Sequence, residues 1–199
     1  LRENNINMIK NQENRKRDMS TKKRKMIDYL LTVPAVVVLA PAMAGISVWI
    51  KLDSPGPVFF RQKRVGIHKE YFDILKFRTM RTDTPQNIPT HLLKNPEQYI
   101  TRSGAFLRKT SLDELPQLFN ILKGDMSLVG PRPALWNQYD LIRERDYYGA
   151  NDVLPGLTGW AQIHGRDTIT VKEKAALDGY YVKNSSVWMD IKCILMTAL

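Results

Sequence analysis

Residues 29–50 read YLLTVPAVVVLAPAMAGISVWI and contain no charged side chain. A straight α-helix of this length would be about 33 Å long, and the hydrocarbon core of a bilayer is about 30 Å thick. The alternative is a core helix that the protein covers on all sides. A chain of 199 residues has little protein with which to cover it. The segment therefore predicts a helix in contact with a membrane.

Basic residues flank this segment on both sides. Those before it are Lys22, Lys23, Arg24 and Lys25, and those after it are Lys51, Arg61, Lys63 and Arg64. Basic flanks favour the cytoplasmic side of a membrane, and Pro41 lies where a helix would kink. The pattern favours a re-entrant helix with both ends in the cytoplasm over a straight span. We therefore divide the chain into a basic juxtamembrane tail (1–25), a re-entrant membrane helix (26–51) and a cytoplasmic-face catalytic domain (52–199).

Composition restricts the class of partner and cofactor. The net charge is +10, from 30 Lys and Arg against 20 Asp and Glu. Such a balance indicates an anionic partner, which can be nucleic acid, anionic lipid or a phosphate-rich substrate. Cys193 is the only cysteine, so an internal disulfide is excluded and a reducing compartment fits. One cysteine and three scattered histidines do not make a zinc site, so any metal should be a hard cation such as Mg2+.

Short elements follow the apolar segment, and together they predict an α+β fold that is mostly helical. Residues 58–61 and 71–77 read as strands on either side of a turn that contains Gly66. Residues 82–100 form a polar loop, and residues 154–166 form a Gly-rich one. Helices are predicted around residues 115–122, 134–149 and 187–198. The apolar stripe of the last helix would pack on the core or lie in the membrane interface, as an interfacial amphipathic helix does.

Residues 108–133 read RKTSLDELPQLFNILKGDMSLVGPRP and contain the candidate catalytic pair, Asp113 and Glu114. The pair has two compatible interpretations. Ser111 and Glu114 fit a capping box, or Asp113 is itself the N-cap. A carboxylate at a helix start also stays ionised, and beside Mg2+ it is a competent nucleophile for phosphorus.

Basic residues recur in stiff loops around this pair. They are Lys76 and Arg78 in LKFRTM, Arg108, Arg132 in GPRP, and Arg166 at the end of the Gly-rich loop. Any one of them alone would be read as a surface charge. Several in loops stiffened by Gly and Pro predict a phosphate site, because the guanidinium fork matches phosphate oxygens.

Four stretches carry a family resemblance: LDELPQLFNILKGDMSLVGPRP, KFRTM, LPGLTGWAQIHGR and YYVKNSS. From residue 25 onward the chain resembles the bacterial sugar transferase family, and within it the small monotopic phosphoglycosyl transferases. The resemblance implies that Asp113 is the nucleophile, that Glu114 is its partner and that both hold Mg2+. It places the break of the re-entrant helix at Ala40 and Pro41, where the family often has Ser-Pro. It also places Lys76, Arg108, Arg132 and Arg166 around the phosphates.

The implied reaction has two steps. Asp113 attacks the β-phosphate of a UDP-sugar and expels UMP, and undecaprenyl phosphate then takes the phosphosugar from the aspartate. Such a reaction primes the assembly of capsule, exopolysaccharide, O-antigen or glycoprotein glycans. The expected partners are the UDP-sugar, undecaprenyl phosphate and membrane lipid at the cytoplasmic face of the inner membrane, without nucleic acid. A homodimer and the identity of the sugar are left open.

Two other functions compete with this one. A basic nucleic-acid-binding protein explains the charge but not the uncharged segment, and no basic element with interleaved aromatics occurs in the sequence. A non-catalytic membrane-anchored scaffold explains the N-terminal region. It leaves the carboxylate pair and the stiff arginine loops without a role.

Overall fold

The computed structural model describes residues 2–85, 95–165 and 168–198, with side chains from residue 23 to residue 197. The helices are α1 (Arg2–Asp53), α2 (Arg102–Lys109), α3 (Gln117–Lys123), α4 (Tyr139–Asp146), α5 (Trp160–Ile163), α6 (Val171–Asn184) and α7 (Val187–Ala198). The strands are β1 (Phe59–Val65), β2 (Tyr71–Phe77), β3 (Ser127–Val129) and β4 (Gly156–Thr158). Short 3-10 helices lie at Ile67–Lys69, Pro96–Tyr99 and Leu112–Glu114. The predicted class, α+β and mostly helical with a small β element, is confirmed.

The first helix, α1, is 52 residues long and continues through Pro34 and Pro41. The α-helix therefore does not end at Ala40 or Pro41, and the re-entrant break predicted there stays a prediction. Proline removes one hydrogen bond and favours a kink, but its fixed φ of about −65° is a helical value, so a helix can continue through it. Its Lys23–Asp53 part is long and apolar enough to cross a membrane.

One face of α1 packs along the rest of the protein for the whole length of the apolar segment. At its start, the buried Asp28 carboxylate accepts hydrogen bonds from Ser127 Oγ (2.7 Å) and the Leu128 amide (3.1 Å). Near its end, Ile50 is fully buried in one cluster with Phe77. These two anchors are separated by about 33 Å of helix. The opposite face is apolar and exposed: Leu30, Leu31, Val33, Val37, Val38, Val48, Trp49 and Leu52.

Strands β1 and β2 form an antiparallel hairpin in which Phe60 lies opposite Lys76. The strand predicted at 71–77 is confirmed, whereas the one predicted at 58–61 continues to residue 65. In the added half, Gln62 and Arg64 are half-buried and alternate with exposed neighbours. Their inward-facing side chains are polar, so hydrophobic alternation alone did not reveal the full strand.

Helix α3 confirms the helix predicted at residues 115–122, with bounds Gln117–Lys123. It is held against β2 by Asn120. The Oδ1 atom of Asn120 accepts a hydrogen bond from the Leu75 amide (2.9 Å), and its Nδ2 donates to the Asp73 carbonyl (2.9 Å). The side-chain amide therefore pairs with the edge of β2 as another strand would.

The short strands β3 and β4 run parallel, and their pairing fixes the GPRP loop that follows β3. The Gly130 amide donates to the Thr158 carbonyl (2.9 Å), and the Gly156 amide donates to the Pro131 carbonyl (2.9 Å). A Cβ atom on either glycine would collide with the backbone of the other strand. Glycine therefore permits the close approach that positions the loop.

The C-terminal part contains shorter and more numerous helices and strands than the sequence predicted. The helix predicted at 134–149 is the shorter α4, and the Gly-rich loop contains β4 and α5. The predicted terminal helix is confirmed as α7. It buries Met189 and Cys193 in a cluster with Val129, while Trp188 and Leu195 are exposed. The predicted apolar stripe is exposed at Val187, Trp188, Ile191, Ile194 and Leu195. Packing of the stripe on the core is therefore wrong, and its contact with a membrane stays a prediction.

Candidate active site

Asp113 and Glu114 lie in the 3-10 turn Leu112–Glu114, between α2 and α3. The turn follows Ser111, whose φ of 57° is left-handed and uncommon for a residue other than glycine. Within the described residues no side chain caps this turn or the start of α3. The capping interpretation of Ser111, Asp113 and Glu114 is therefore wrong, and both carboxylates face other groups.

Two cations from distant parts of the chain meet the same oxygen of Glu114. The Nζ atom of Lys76, on β2, lies 2.7 Å from Glu114 Oε1 and 3.9 Å from Asp113 Oδ2. The Nη2 atom of Arg132, in the GPRP loop, also lies 2.7 Å from Glu114 Oε1. The structure thus brings together four of the residues that the sequence singled out.

The two carboxyl groups are driven in opposite directions by their surroundings. Burial raises the pKa of Asp113, and the neighbouring charge of Glu114 adds to this effect against the cations Lys76 and Arg108. Burial alone would also raise the pKa of Glu114. The charges of Arg132 and Lys76 outweigh burial there and hold the pKa of Glu114 at about 2. Divergent pKa values in adjacent carboxyl groups are typical of pairs that divide catalytic roles.

Arg108 extends from α2 to the same region. Its Nε atom donates to Thr79 Oγ1 (2.9 Å), and its Nη2 atom lies 3.1 Å from Met80 Sδ. Burial lowers the pKa of Arg108, while the charge of Asp113 opposes that shift. A partly desolvated guanidinium beside Asp113 adds positive charge where a phosphate would lie.

The groups surround a cavity of about 360 Å3, which is large enough for a small-molecule ligand. Asp113, Lys76, Arg108 and Arg132 line it, whereas Glu114 does not line it and pairs with Lys76 and Arg132. One part of the wall is apolar and another is polar. The apolar part includes Pro57, Phe59 and Phe77, and the polar part includes Gln62, Gln138 and Lys174.

Two predicted phosphate ligands require separate comment. Arg78 is buried, and its guanidinium donates to the carbonyls of Pro55, Ser54 (2.8 Å) and Ile50 (3.5 Å). These carbonyls lie at or just beyond the C-terminal end of α1, so Arg78 joins α1 to the hairpin. Arg78 also lines the cavity, so its role as a phosphate ligand stays a prediction. Arg166 lies outside the described residues.

Arg64 was not among the predicted site residues, although it lines the cavity. Its Nη1 atom donates to the Pro133 carbonyl (3.1 Å), and its Nη2 atom donates to Gln62 Oε1 (2.6 Å). Burial, helped by the charge of Arg132, lowers the pKa of Arg64 to about 10. The available signal was the alternation of Phe60, Gln62 and Arg64 along β1.

The donor set around Asp113 is compatible with Mg2+ but does not make a metal site alone. The described residues contain no group of three or more His, Cys, Asp or Glu that could hold an ion. Mg2+ is often held by one or two carboxylates together with the phosphates of the substrate. Asp113 lines the cavity and so fits that arrangement, with Glu114 adjacent to it in the chain.

A family model described as bacterial sugar transferase matches residues 19–199. Three relatives match most of the chain. A UDP-glucose:undecaprenyl-phosphate glucose-1-phosphate transferase from Xanthomonas campestris pv. campestris is 42% identical over 86% of this chain and 37% of its own length. A UDP-N-acetylgalactosamine-undecaprenyl-phosphate N-acetylgalactosaminephosphotransferase from Aeromonas hydrophila is 41% identical over 87% of this chain and 42% of its own length.

A third relative is nearer in size. The uncharacterized sugar transferase EpsL of Bacillus subtilis is 43% identical over 85% of this chain and 79% of its own length. The chain thus spans about two fifths of the first two relatives and most of the third.

Proposed function

This chain belongs to the bacterial sugar transferase family, and on that premise we propose that it transfers a sugar 1-phosphate from a UDP-sugar to undecaprenyl phosphate and releases UMP. The names of the relatives support this proposal, since they specify transfer of glucose 1-phosphate or of N-acetylgalactosamine phosphate to undecaprenyl phosphate. The reaction would be the priming step of a surface glycan. Which sugar this chain transfers is left to experiment.

The observation that carries the proposal is the surroundings of Asp113. Its carboxylate lines the cavity among Lys76, Arg108 and Arg132. Three cations around one carboxylate match the diphosphate of a nucleotide sugar, because opposed charges and guanidinium forks bind phosphate oxygens. The raised pKa of Asp113 makes its carboxylate more basic than an ordinary aspartate, and a more basic oxygen is the better nucleophile.

In the first step, an oxygen of Asp113 forms a bond to the β-phosphorus of the UDP-sugar. The bond from that phosphorus to the bridging oxygen breaks, and the electron pair leaves with UMP. The product is a phosphosugar attached to Asp113 as an acyl phosphate. Lys76 and Arg132 neutralise the charge that develops on the phosphoryl oxygens.

In the second step, a phosphate oxygen of undecaprenyl phosphate attacks the same phosphorus. The bond between phosphorus and Asp113 breaks, which restores the carboxylate and yields undecaprenyl diphosphate sugar. Glu114 stays ionised throughout, because its pKa of about 2 is far below neutral pH. It therefore keeps Lys76 and Arg132 in place.

Mg2+ is the cofactor we propose, held by Asp113 and Glu114 together with the substrate phosphates. When bound, it would neutralise part of the diphosphate charge. The protein residues still orient Asp113 and supply the remaining positive charge.

The position of the apolar helix supports a site at the membrane surface. Phe77 stacks on Phe59, with ring centroids 5.6 Å apart, and packs with Ile50 of α1. Both phenylalanines also line the cavity. An apolar cavity wall thus continues into the helix whose outer face is apolar, which suits one lipid substrate and one soluble substrate. Because UDP-sugars are cytosolic, we place the site at the cytoplasmic face of the inner membrane.

Release of UMP from a panel of UDP-glucose, UDP-galactose and UDP-N-acetylgalactosamine tests the proposal. Purified protein in detergent, with Mg2+ and undecaprenyl phosphate, should release UMP from at least one of them, and excess chelator should stop the release. A folded protein that releases no UMP from any of the three would contradict the proposal for these sugars and favour the scaffold.

A further inference from the structure

A buried ion pair joins α4 to α6 behind the GPRP loop. Arg145 donates from Nε (2.8 Å) and from Nη2 (2.6 Å) to Oδ2 of Asp178. The two side chains are 4% and 1% exposed. By contrast Arg143, on the same helix, pairs with Asp140 at the surface. The ion pair of Arg145 is thus buried, whereas that of Arg143 is exposed.

The same Nη2 atom of Arg145 also donates to the backbone carbonyl of Arg132 (3.0 Å). The carbonyls on either side of it are bound by other elements. That of Pro131 accepts from the Gly156 amide (2.9 Å), and that of Pro133 accepts from Arg64 Nη1 (3.1 Å). Three successive carbonyls of the loop are therefore held by β4, α4 and β1. Arg145 holds the one that belongs to the residue paired with Glu114.

Stability alone is a weak reason for a buried ion pair. Removing two charges from water is costly, and replacing such a pair by apolar residues of similar volume is often neutral or stabilising. The bond to the Arg132 carbonyl supplies a second role. We propose that Arg145, held in place by Asp178, is a positioning residue that fixes the Arg132 backbone so that its side chain meets Glu114 and the substrate phosphates. This inference rests on the proposed function, because it assigns Arg132 to the phosphate site.

Replacement of Arg145 by lysine tests the role with the charge retained. Lysine can still pair with Asp178, but it lacks the fork that reaches both Asp178 and the Arg132 carbonyl. Arg145→Lys should raise KM for the UDP-sugar and the Kd of UDP roughly five- to tenfold, as loss of one hydrogen bond does. KM for undecaprenyl phosphate should change little. The matched control on the same helix, Arg143→Lys, should leave all three constants unchanged.

A second variant separates positioning from folding. The double substitution Arg145→Met with Asp178→Leu removes the charges and keeps the buried volume. It should unfold at or above the wild-type temperature, yet it should weaken UDP binding to a similar extent.

A double-mutant cycle with Arg132→Ala identifies the residue through which Arg145 acts. If Arg145 positions Arg132, Arg145→Lys should weaken UDP binding by less than about twofold once the Arg132 side chain is absent. Losses that multiply in the cycle, or UDP binding that is unchanged in both folded Arg145 variants, would overturn the inference. UDP binding is measured by calorimetry and does not require turnover, so it tests the role of Arg145 even if no UMP release is found. Failure of the proposed function would appear in the UMP assay and is thus distinguished from failure of this inference.

Discussion

At the scale of single residues, Asp113 and Glu114 differ in what they can do although they are neighbours. Asp113 faces the cavity and has a raised pKa, whereas Glu114 is held by Lys76 and Arg132. We therefore propose that Asp113 attacks the phosphorus and that Glu114 holds Lys76 and Arg132 in place.

The covalent step can be tested at Asp113 alone. Incubation with the active UDP-sugar, without undecaprenyl phosphate, should add the mass of one phosphosugar to the wild-type protein. Asp113→Asn should show no adduct and no turnover, because an amide is a poor nucleophile, and its melting temperature should change little. Asp140→Asn, which alters an exposed carboxylate, should retain the adduct. An adduct on Asp113→Asn would place the nucleophile elsewhere.

Glu114 gives stability a defined dependence on pH. Its pKa is about 2 in the folded protein against 4.5 for an ordinary glutamate, so its ionised form stabilises the fold fully above pH 4.5. That contribution, of the order of 3 kcal/mol, is lost as the pH falls from 4.5 toward 2. Melting temperatures between pH 6 and pH 3 should therefore fall by several degrees more for the wild type than for Glu114→Gln. Parallel curves for the two proteins would mean that the ion pairs contribute little to stability.

Part of the site could be predicted from the sequence, because those residues lie in motifs that can be recognised without the structure. Lys76, Asp113, Glu114 and Arg132 come together as the resemblance implied. Arg64 was missed, because a charged residue in a strand is recognised only once its partner strand is known. The mixed charges of α4 likewise did not show that Arg143 is exposed whereas Arg145 is buried. Such pairings depend on residues far apart in the chain.

At the scale of elements, α1 is joined to the hairpin by Arg78 and by the packing of Ile50 with Phe77. Arg78 donates to three carbonyls at the end of α1, whereas Arg132 pairs with Glu114, and both arginines line the cavity. The helix continues through Pro41, which no single-residue rule excludes, because proline breaks one bond but keeps a helical φ. The sequence therefore located the apolar part of α1 correctly, whereas the helix begins earlier, at Arg2.

These two arginines should respond differently to truncation. Arg78→Ala should lower the melting temperature, because it removes the hydrogen bonds that Arg78 donates to the carbonyls at the end of α1, and the KM for the UDP-sugar should change less than is expected for a phosphate ligand. Arg132→Ala should raise that KM about ten- to hundredfold, since a charge-assisted contact is worth about 1.5–3 kcal/mol, with little change in melting temperature. The reverse pattern would exchange the roles that we assign to them.

The course of α1 also predicts its topology. The same folded domain contacts α1 at Asp28 and at Ile50, so both ends should lie on one side unless the domain itself enters the bilayer. Cysteines at the exposed positions Lys25 and Lys51, in a Cys193→Ser background, should resist a membrane-impermeant thiol reagent in intact cells. Both should react once the cells are opened, and a periplasmic cysteine in another protein should react in either case. Labelling of one end in intact cells would mean that α1 spans the membrane.

At the scale of the whole molecule, charge and apolar surface should act together at the membrane. The net charge of +10 attracts anionic lipid, and the exposed face of α1 provides apolar contact. Flotation with vesicles should therefore show strong binding to anionic lipid at low salt. Binding to neutral lipid at high salt should be weaker but should persist, because screening removes only the electrostatic part. Complete release at high salt would assign membrane binding to charge alone.

The contact between Asp28 and β3 also has a consequence for biosynthesis. Asp28 and its partner Ser127 are 99 residues apart in the chain. At about 5–20 residues per second, a ribosome needs about 5–20 s to make the intervening stretch. During that interval α1 has left or is leaving the exit tunnel, while the domain that covers one of its faces does not yet exist. Because α1 is translated first, the targeting machinery and the bilayer can contact it before the domain that covers one of its faces has been made. The domain then folds against a helix that is already in place.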